Sequence, residues 1–243
     1  MSMDKMIPLM LGGIKDTLYM TTVSTLFAYL LGLPIAILLV LTAPSGLKPQ
    51  KLVYRLLDMI VNIFRSIPFL ILMILVIPVT RAIAGKAYGS TATIVPLVIA
   101  AAPYVARMIE SSLLEVDPGV IEAAQSMGAN IPTIIFKVLI PEAKTSLIVG
   151  ATISCGTILG YSAMSGAIGG GGLGQIAISY GYNRYQTDVL FVTVALLIVL
   201  MQVIQIFTAG GYEVTVHPTA GPRDLTRQIM ERGADYDLIV CTG

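Results

Sequence analysis

The chain has 243 residues, 56% of them hydrophobic and 12% charged, with a mean hydropathy of +0.84 and a formal net charge of +1. Soluble domains carry about 25% charged residues, so this composition excludes an ordinary water-facing surface and makes lipid the expected solvent. The near-zero net charge excludes a nucleic-acid binder, which needs a basic excess. The two cysteines, Cys155 and Cys241, lack the spacing of a disulfide framework or a structural zinc site, and Cys155 reads as a small packing residue.

A membrane-crossing helix needs about 20 largely apolar residues. In chain order the expected spans are 17–41, 56–79, 92–114, 146–164 and 189–207, which makes this an all-α membrane protein of five transmembrane helices. Met1–Gly13 is too short for a cleavable signal and no cleavage site follows the long apolar run, so the first span is expected to stay as an anchor. Five spans place the termini on opposite sides. With the N-terminus outside, the inner segments hold Lys48, Lys51, Arg55, Arg107, Lys137 and Lys144, against Lys5, Lys15, Arg81, Lys86 and Arg184 outside. That bias has the sign of the positive-inside rule, and it predicts a cytoplasmic C-terminus.

The second span carries Asp58, Asn62 and Arg65 at i, i+4 and i+7, one helical stripe, with Ser66 next. A charge at mid-membrane costs about 2.5–3.5 kcal/mol on insertion scales. Arg65 therefore either snorkels to the inner interface as an anchor or lines a polar path through the bundle. Gly156 and Gly160 form a GxxxG pair, which serves either a dimer axis or packing within one subunit. Tyr161, Ser162 and Met164 follow it, either as packing residues or as a polar and thioether lining for a substrate.

Between the third and fourth spans, Asp117-Pro118 starts a helix, Asp as N-cap and Pro in the first turn. Gly128 ends that helix, and Asn130 caps a second one with Pro132 in its first turn. The product is a knuckle of two short helices at the membrane surface. It reads either as a plain interfacial loop or as a lever that carries a partner's motion into the spans.

Gly169, Gly171 and Gly174 spell G-x-G-x-x-G, but the fingerprint needs a preceding strand in a βαβ unit, so a flexible outer loop is expected instead. The sequence has no G-x-x-x-x-G-K-[ST], and any ATP must be bound by another chain. His217, the one histidine, stands without ligand partners in the sequence around it.

Glu122-Ala123-Ala124, then Gly128, then Pro141 resembles the EAA loop of ABC importer permeases, E-A-A-x(3)-G-x(9)-I-x-L-P, with Val138 and Ile140 as conservative replacements. Residues 62–69 (NIFRSIPF), 101–108 (AAPYVARM), 160–167 (GYSAMSGA) and 172–176 (GLGQI) are similar to segments of methionine-import permeases. The resemblance spans residues 5–207. It implies a type I-like permease fold, inward methionine transport in the cell inner membrane and a homodimer with its path on the two-fold axis. It further implies two ATPase subunits docked on Glu122, Ala123, Ala124, Gly128 and Pro141, an extracytoplasmic binding protein, and no cofactor or catalytic residue in this chain.

From residue 208 the chain turns polar. Strands at 212–216 and 238–240 around a helix at 222–232 are expected, too small a unit to bury its own core. This stretch resembles the start of diacylglycerol-kinase-type lipid kinases, stopping at the first glycine of the nucleotide loop. The expectation is an inactive cytoplasmic extension or a fusion or frameshift scar. Within the permease class the alternative substrates are another small amino acid or a dipeptide, and the rival classes are an ATPase-independent secondary transporter and a membrane-anchored lipid kinase. The first calls for inverted repeats or a partnered acid within the membrane, and the second for a complete nucleotide loop.

Overall fold

The computed structural model describes residues 3–209. The expected strands and helix of the tail, His217 and Cys241 lie outside the described residues. Helix α1 (Met3–Thr42) leads into α2 (Lys51–Ser66), α3 (Phe69–Leu75), α4 (Ile77–Ala84) and α5 (Ser90–Leu114). The knuckle consists of α6 (Pro118–Ser126), α7 (Ile131–Ile134), a π-helical turn (Ile135–Leu139) and α8 (Ile140–Glu142). Then follow α9 (Lys144–Ser165), a 3₁₀ turn (Gly166–Ile168), α10 (Gly172–Ile176), a π-helical turn (Ala177–Tyr182) and α11 (Thr187–Ala209). Among the described residues four helices are long and apolar enough to cross a membrane, and the bent pair α2–α3 makes a fifth crossing if counted as one.

Two spans differ from the sequence expectation. The first helix starts at Met3 rather than near Thr17. Its early turns are stabilised by tertiary packing: buried Met10, with Met6, Leu9 and Ile14 around it, meets Leu173, Ile176 and Val189. At 1.5 Å per residue, its 40 residues extend about 60 Å. The expected continuous span 56–79 is broken, with α2 and α3 bent by 103°. Pro68 has no N–H to continue the ladder, and it holds Ile67 in the extended region (φ −82°, ψ 124°). A second break at Val76 precedes Pro78, and Gly85 ends α4 in the left-handed region (φ +72°).

The remaining spans fall within two residues of expectation. The main core joins Ala28 and Ala36 of α1 to Ala101, Val105, Ala106 and Ile109 of α5 and Ile158 of α9. Small residues on α1 and α5 let these backbones approach closely, as membrane helices require: a Cβ on Gly32 would stand 3.1 Å from the Ala106 nitrogen.

Candidate functional site

The knuckle forms as its capping residues dictate. The Asp117 carboxylate accepts from the Gly119 N–H at 2.6 Å, and Asn130 Oδ1 accepts from the Thr133 N–H at 3.0 Å. Gly128 turns the chain at φ +79°. The Ala129 N–H donates to the Ala124 carbonyl at 3.1 Å, closing the end of α6. The two alanines of the motif part company. Ala124 is 4% exposed and sits in the main core with Leu113, Ile134, Ile135, Leu139 and Ala143. Glu122, Ala123, Gly128 and Pro141 are exposed, beside Met127 and Phe136. The knuckle thus presents one face outward while its other face is continuous with the packing of α5.

At the level of α2 the polar residues meet α5. Arg107 donates to Glu110 at 2.7 Å, three residues on along the same helix, and forms an ion pair with Asp58. Asn62 closes the set, accepting from Arg107 and donating to Asp58, each at 3.2 Å. Glu110 is buried, whereas Asn62 is exposed. Arg107, counted with the inner segments although it falls within the expected span 92–114, lies inside α5 with two carboxylates. Arg65 and Ser66 are exposed near the end of α2, with the Ser66 hydroxyl donating to the Asn62 carbonyl at 2.8 Å. Arg107 and Glu110 were not singled out as a site from sequence. The signal that could have found them is an i, i+3 ion pair inside an otherwise apolar span.

Of the fourth-span residues, Tyr161 stacks on Phe69 just beyond the Pro68 break. Met164 is exposed. Ser162 is 1% exposed and its hydroxyl donates to the Leu159 carbonyl at 2.7 Å, a packing position. The structure brings Asn62 together with Ser66, and Tyr161 against the start of α3. Gly156 packs within the chain, where a Cβ would stand 3.1 Å from Met201 Sδ of α11; Gly160 faces open space.

The expected flexible loop at 169–174 is a packed knot instead. The Thr17 hydroxyl accepts from the Leu173 N–H at 2.9 Å, and Thr93 donates to the Gly170 carbonyl at 3.0 Å. The Gly89 N–H donates to the Gly169 carbonyl at 2.9 Å, and Ser90 donates to Asp16 at 2.8 Å. A Cβ on Gly166 would strike the Gly174 backbone, and one on Gly174 the Ala163 carbonyl. The glycines are there for close approach between helices. Their spacing hides this, because the contacts come from α1, α5 and α9 as well as from the turn itself.

Among the described residues no group of three metal-ligating side chains occurs.

A family profile described as "Binding-protein-dependent transport system inner membrane component" matches residues 28–212. The probable D-methionine transport system permease protein MetI of Vibrio cholerae is 50% identical over 197 residues, covering 81% of this chain and 88% of that protein. The D-methionine transport system permease protein MetI of Escherichia coli K12 is 48% identical over 163 residues, 67% of this chain and 75% of that protein. An inward-facing crystal form of the MetNI methionine ABC transporter superposes with a TM-score of 0.84 at 47% identity, over 86% of this chain and 96% of that one. A crystal structure of an amino acid ABC transporter with histidines shares the fold, with a TM-score of 0.71 at 24% identity over 85% of this chain and 94% of that one.

Proposed function

The chain belongs to the binding-protein-dependent transport system inner membrane component family, and from that premise we propose that it is the membrane-spanning permease subunit of an ATP-binding-cassette importer that carries methionine inward. The observation that carries the reading is the match in sequence and fold, along most of both chains, to the methionine transporter structure. The permease is a multi-pass protein of the inner membrane and makes and breaks no covalent bond itself. ATP is bound and hydrolysed by separate ATPase subunits, two per transporter. An extracytoplasmic binding protein delivers the substrate, and two copies of this chain enclose the path on their two-fold axis. No cofactor is assigned to the chain, and no phosphotransfer to its lipid-kinase-like tail.

In this reading the N-terminus is outside and the knuckle faces the cytoplasm. Glu122 and Ala123 offer its exposed face to the ATPase, with Gly128 and Pro141 shaping its ends. Ala124 lies beneath, tying the docked helix to the core of α5. ATP-driven closure of the ATPase pair moves the knuckle, and the packed core carries that movement into the spans. Asn62, Arg65, Ser66, Tyr161 and Met164 line the path, while Ser162 stays buried within α9.

The test is uptake of labelled methionine, as each enantiomer, into vesicles holding the chain, its ATPase and its binding protein. ATP-dependent uptake that disappears in an assembled Glu122→Arg variant is the expected result. Uptake without any ATPase would overturn the reading in favour of a secondary transporter. An ATP-hydrolysing complex indifferent to methionine would remove the substrate alone.

A further inference from the structure

Fourteen of the 25 residues of α5 are buried, but only Val61 of the 16 in α2. Leu52, Leu56, Ile60 and Ile63 of α2 are all exposed. Helix α5 is therefore part of the rigid core it builds with α1, and α2 is an arm laid against that core. One end of the arm is the Ile67–Pro68 break, where the chain turns by 103°. The bond holding that end, from the Ile67 N–H to the Phe64 carbonyl, is long at 3.4 Å. The other end enters a short link at 43–50. Along its length the polar ties to α5 are the bonds from Arg107 to Asp58 and Asn62.

An ion pair between helices in a low-dielectric setting is ordinarily permanent, because separation strands an uncompensated charge. Here it is not. Arg107 keeps Glu110, 7% exposed and three residues along the same helix, whether or not Asp58 is present. Asp58 has a side chain 35% exposed and bonds Asn62, one turn on in the same helix, so it also keeps a partner when it leaves. Separation would leave Arg107 its carboxylate and Asp58 one hydrogen bond and access to solvent.

We infer that Asp58 and Arg107 form a reversible latch holding the α2 arm on the α5 core, and that its opening accompanies the switch of the permease between its two facing states. Asp58, Asn62 and Arg107 are positioning residues here, with Glu110 the resident counter-ion that makes release affordable. The inference rests on the permease reading above for its link to ATP. The inference takes the described form as inward-facing, like the transporter form on which it superposes, and weakening the latch then shifts the population toward the other state.

The experiment uses the full chain assembled with its ATPase. Asp58→Asn removes the charge between the helices and leaves the Arg107–Glu110 pair whole. Basal ATP hydrolysis, measured without binding protein or methionine, should rise severalfold, and methionine carried per ATP should fall. Asp58→Glu should restore both. Glu110→Gln has the opposite sign: Asp58 becomes the sole countercharge of Arg107, the latch tightens, and basal hydrolysis should drop severalfold. A merely structural pair would lower the yield of all three variants and leave the hydrolysis rate per assembled complex unchanged, which would overturn the proposal.

A second measurement needs no ATPase. Spin labels at Leu56 on α2 and Ser111 on α5, both exposed, should report longer distances in purified Asp58→Asn than in the parent chain. An unchanged distribution would overturn the latch. Because basal hydrolysis and label distance involve no substrate, failure of methionine uptake by the parent chain would remove the transport assignment while these two readouts still decide the latch.

Discussion

Phe69 and Tyr161 lie face to face, their ring centroids 4.6 Å apart and their planes within 4° of parallel. This stack joins the first residue of α3, just past the proline break, to the turn of α9 that follows Gly160. It is the aromatic contact through which the bent second span touches the fourth.

Replacing Tyr161 with Ala removes a pair worth about 0.5–1.5 kcal/mol beyond its buried area. If that energy holds the path in shape, methionine uptake should fall about fivefold, the equivalent of roughly 1 kcal/mol. Tyr161→Phe keeps the stack and should transport like the parent chain. Initial uptake rates in reconstituted vesicles check both.

The two faces of the knuckle should separate in mutagenesis. Ala124→Leu forces added methylenes into a closed core and should destabilise the permease by about 1–3 kcal/mol, visible as a lower melting temperature of the permease alone. Glu122→Arg is an exposed change and should alter stability by less than about 0.5 kcal/mol, yet abolish ATPase association in a pull-down.

Gly128 should be sensitive for backbone reasons only, since a Cβ there would meet nothing within 4 Å. Its φ of +79° costs an ordinary L-residue about 1–2 kcal/mol. Gly128→Ala should lower thermal stability by that order, and Gly128→Asn by less, because Asn visits this region readily.

Gly174→Ala places a methyl against the Ala163 carbonyl, backbone that cannot swing aside. Overpacking of at least about 1–3 kcal/mol is expected, seen as loss of monodisperse protein in size-exclusion chromatography. Gly12→Ala is the control. Its added methyl meets no atom within 4 Å, and the gain of about 1 kcal/mol in helix propensity should leave stability equal or higher.

The parts legible in the sequence are those governed by local chemistry. Asp117, Pro118, Gly128 and Asn130 announce the knuckle because caps act over a few residues, and hydropathy located the third, fourth and fifth spans. Pro68 was in plain view, but an apolar run on both sides of a proline reads equally as one kinked helix or two bent ones. The early turns of α1 were missed because Leu173, Ile176 and Val189, more than 150 residues downstream, stabilise them. The Arg107 set escaped for a related reason. Its charge was counted with the inner segments, and its meaning depends on α2 folding alongside. Glycines 166–174 carry the mark of mobility in sequence and serve the opposite purpose in three dimensions.

The bond from Leu173 to Thr17 spans 156 positions of the chain. A ribosome working at 5–20 residues per second needs on the order of ten to thirty seconds to cover that interval. During synthesis the first span waits that long with its Thr17 hydroxyl and Gly13 notch unfilled, until the fourth span and its glycine turn are made. This lock on the N-terminal helix is therefore set by one of the later segments to be made, and a chain arrested before residue 173 lacks it altogether.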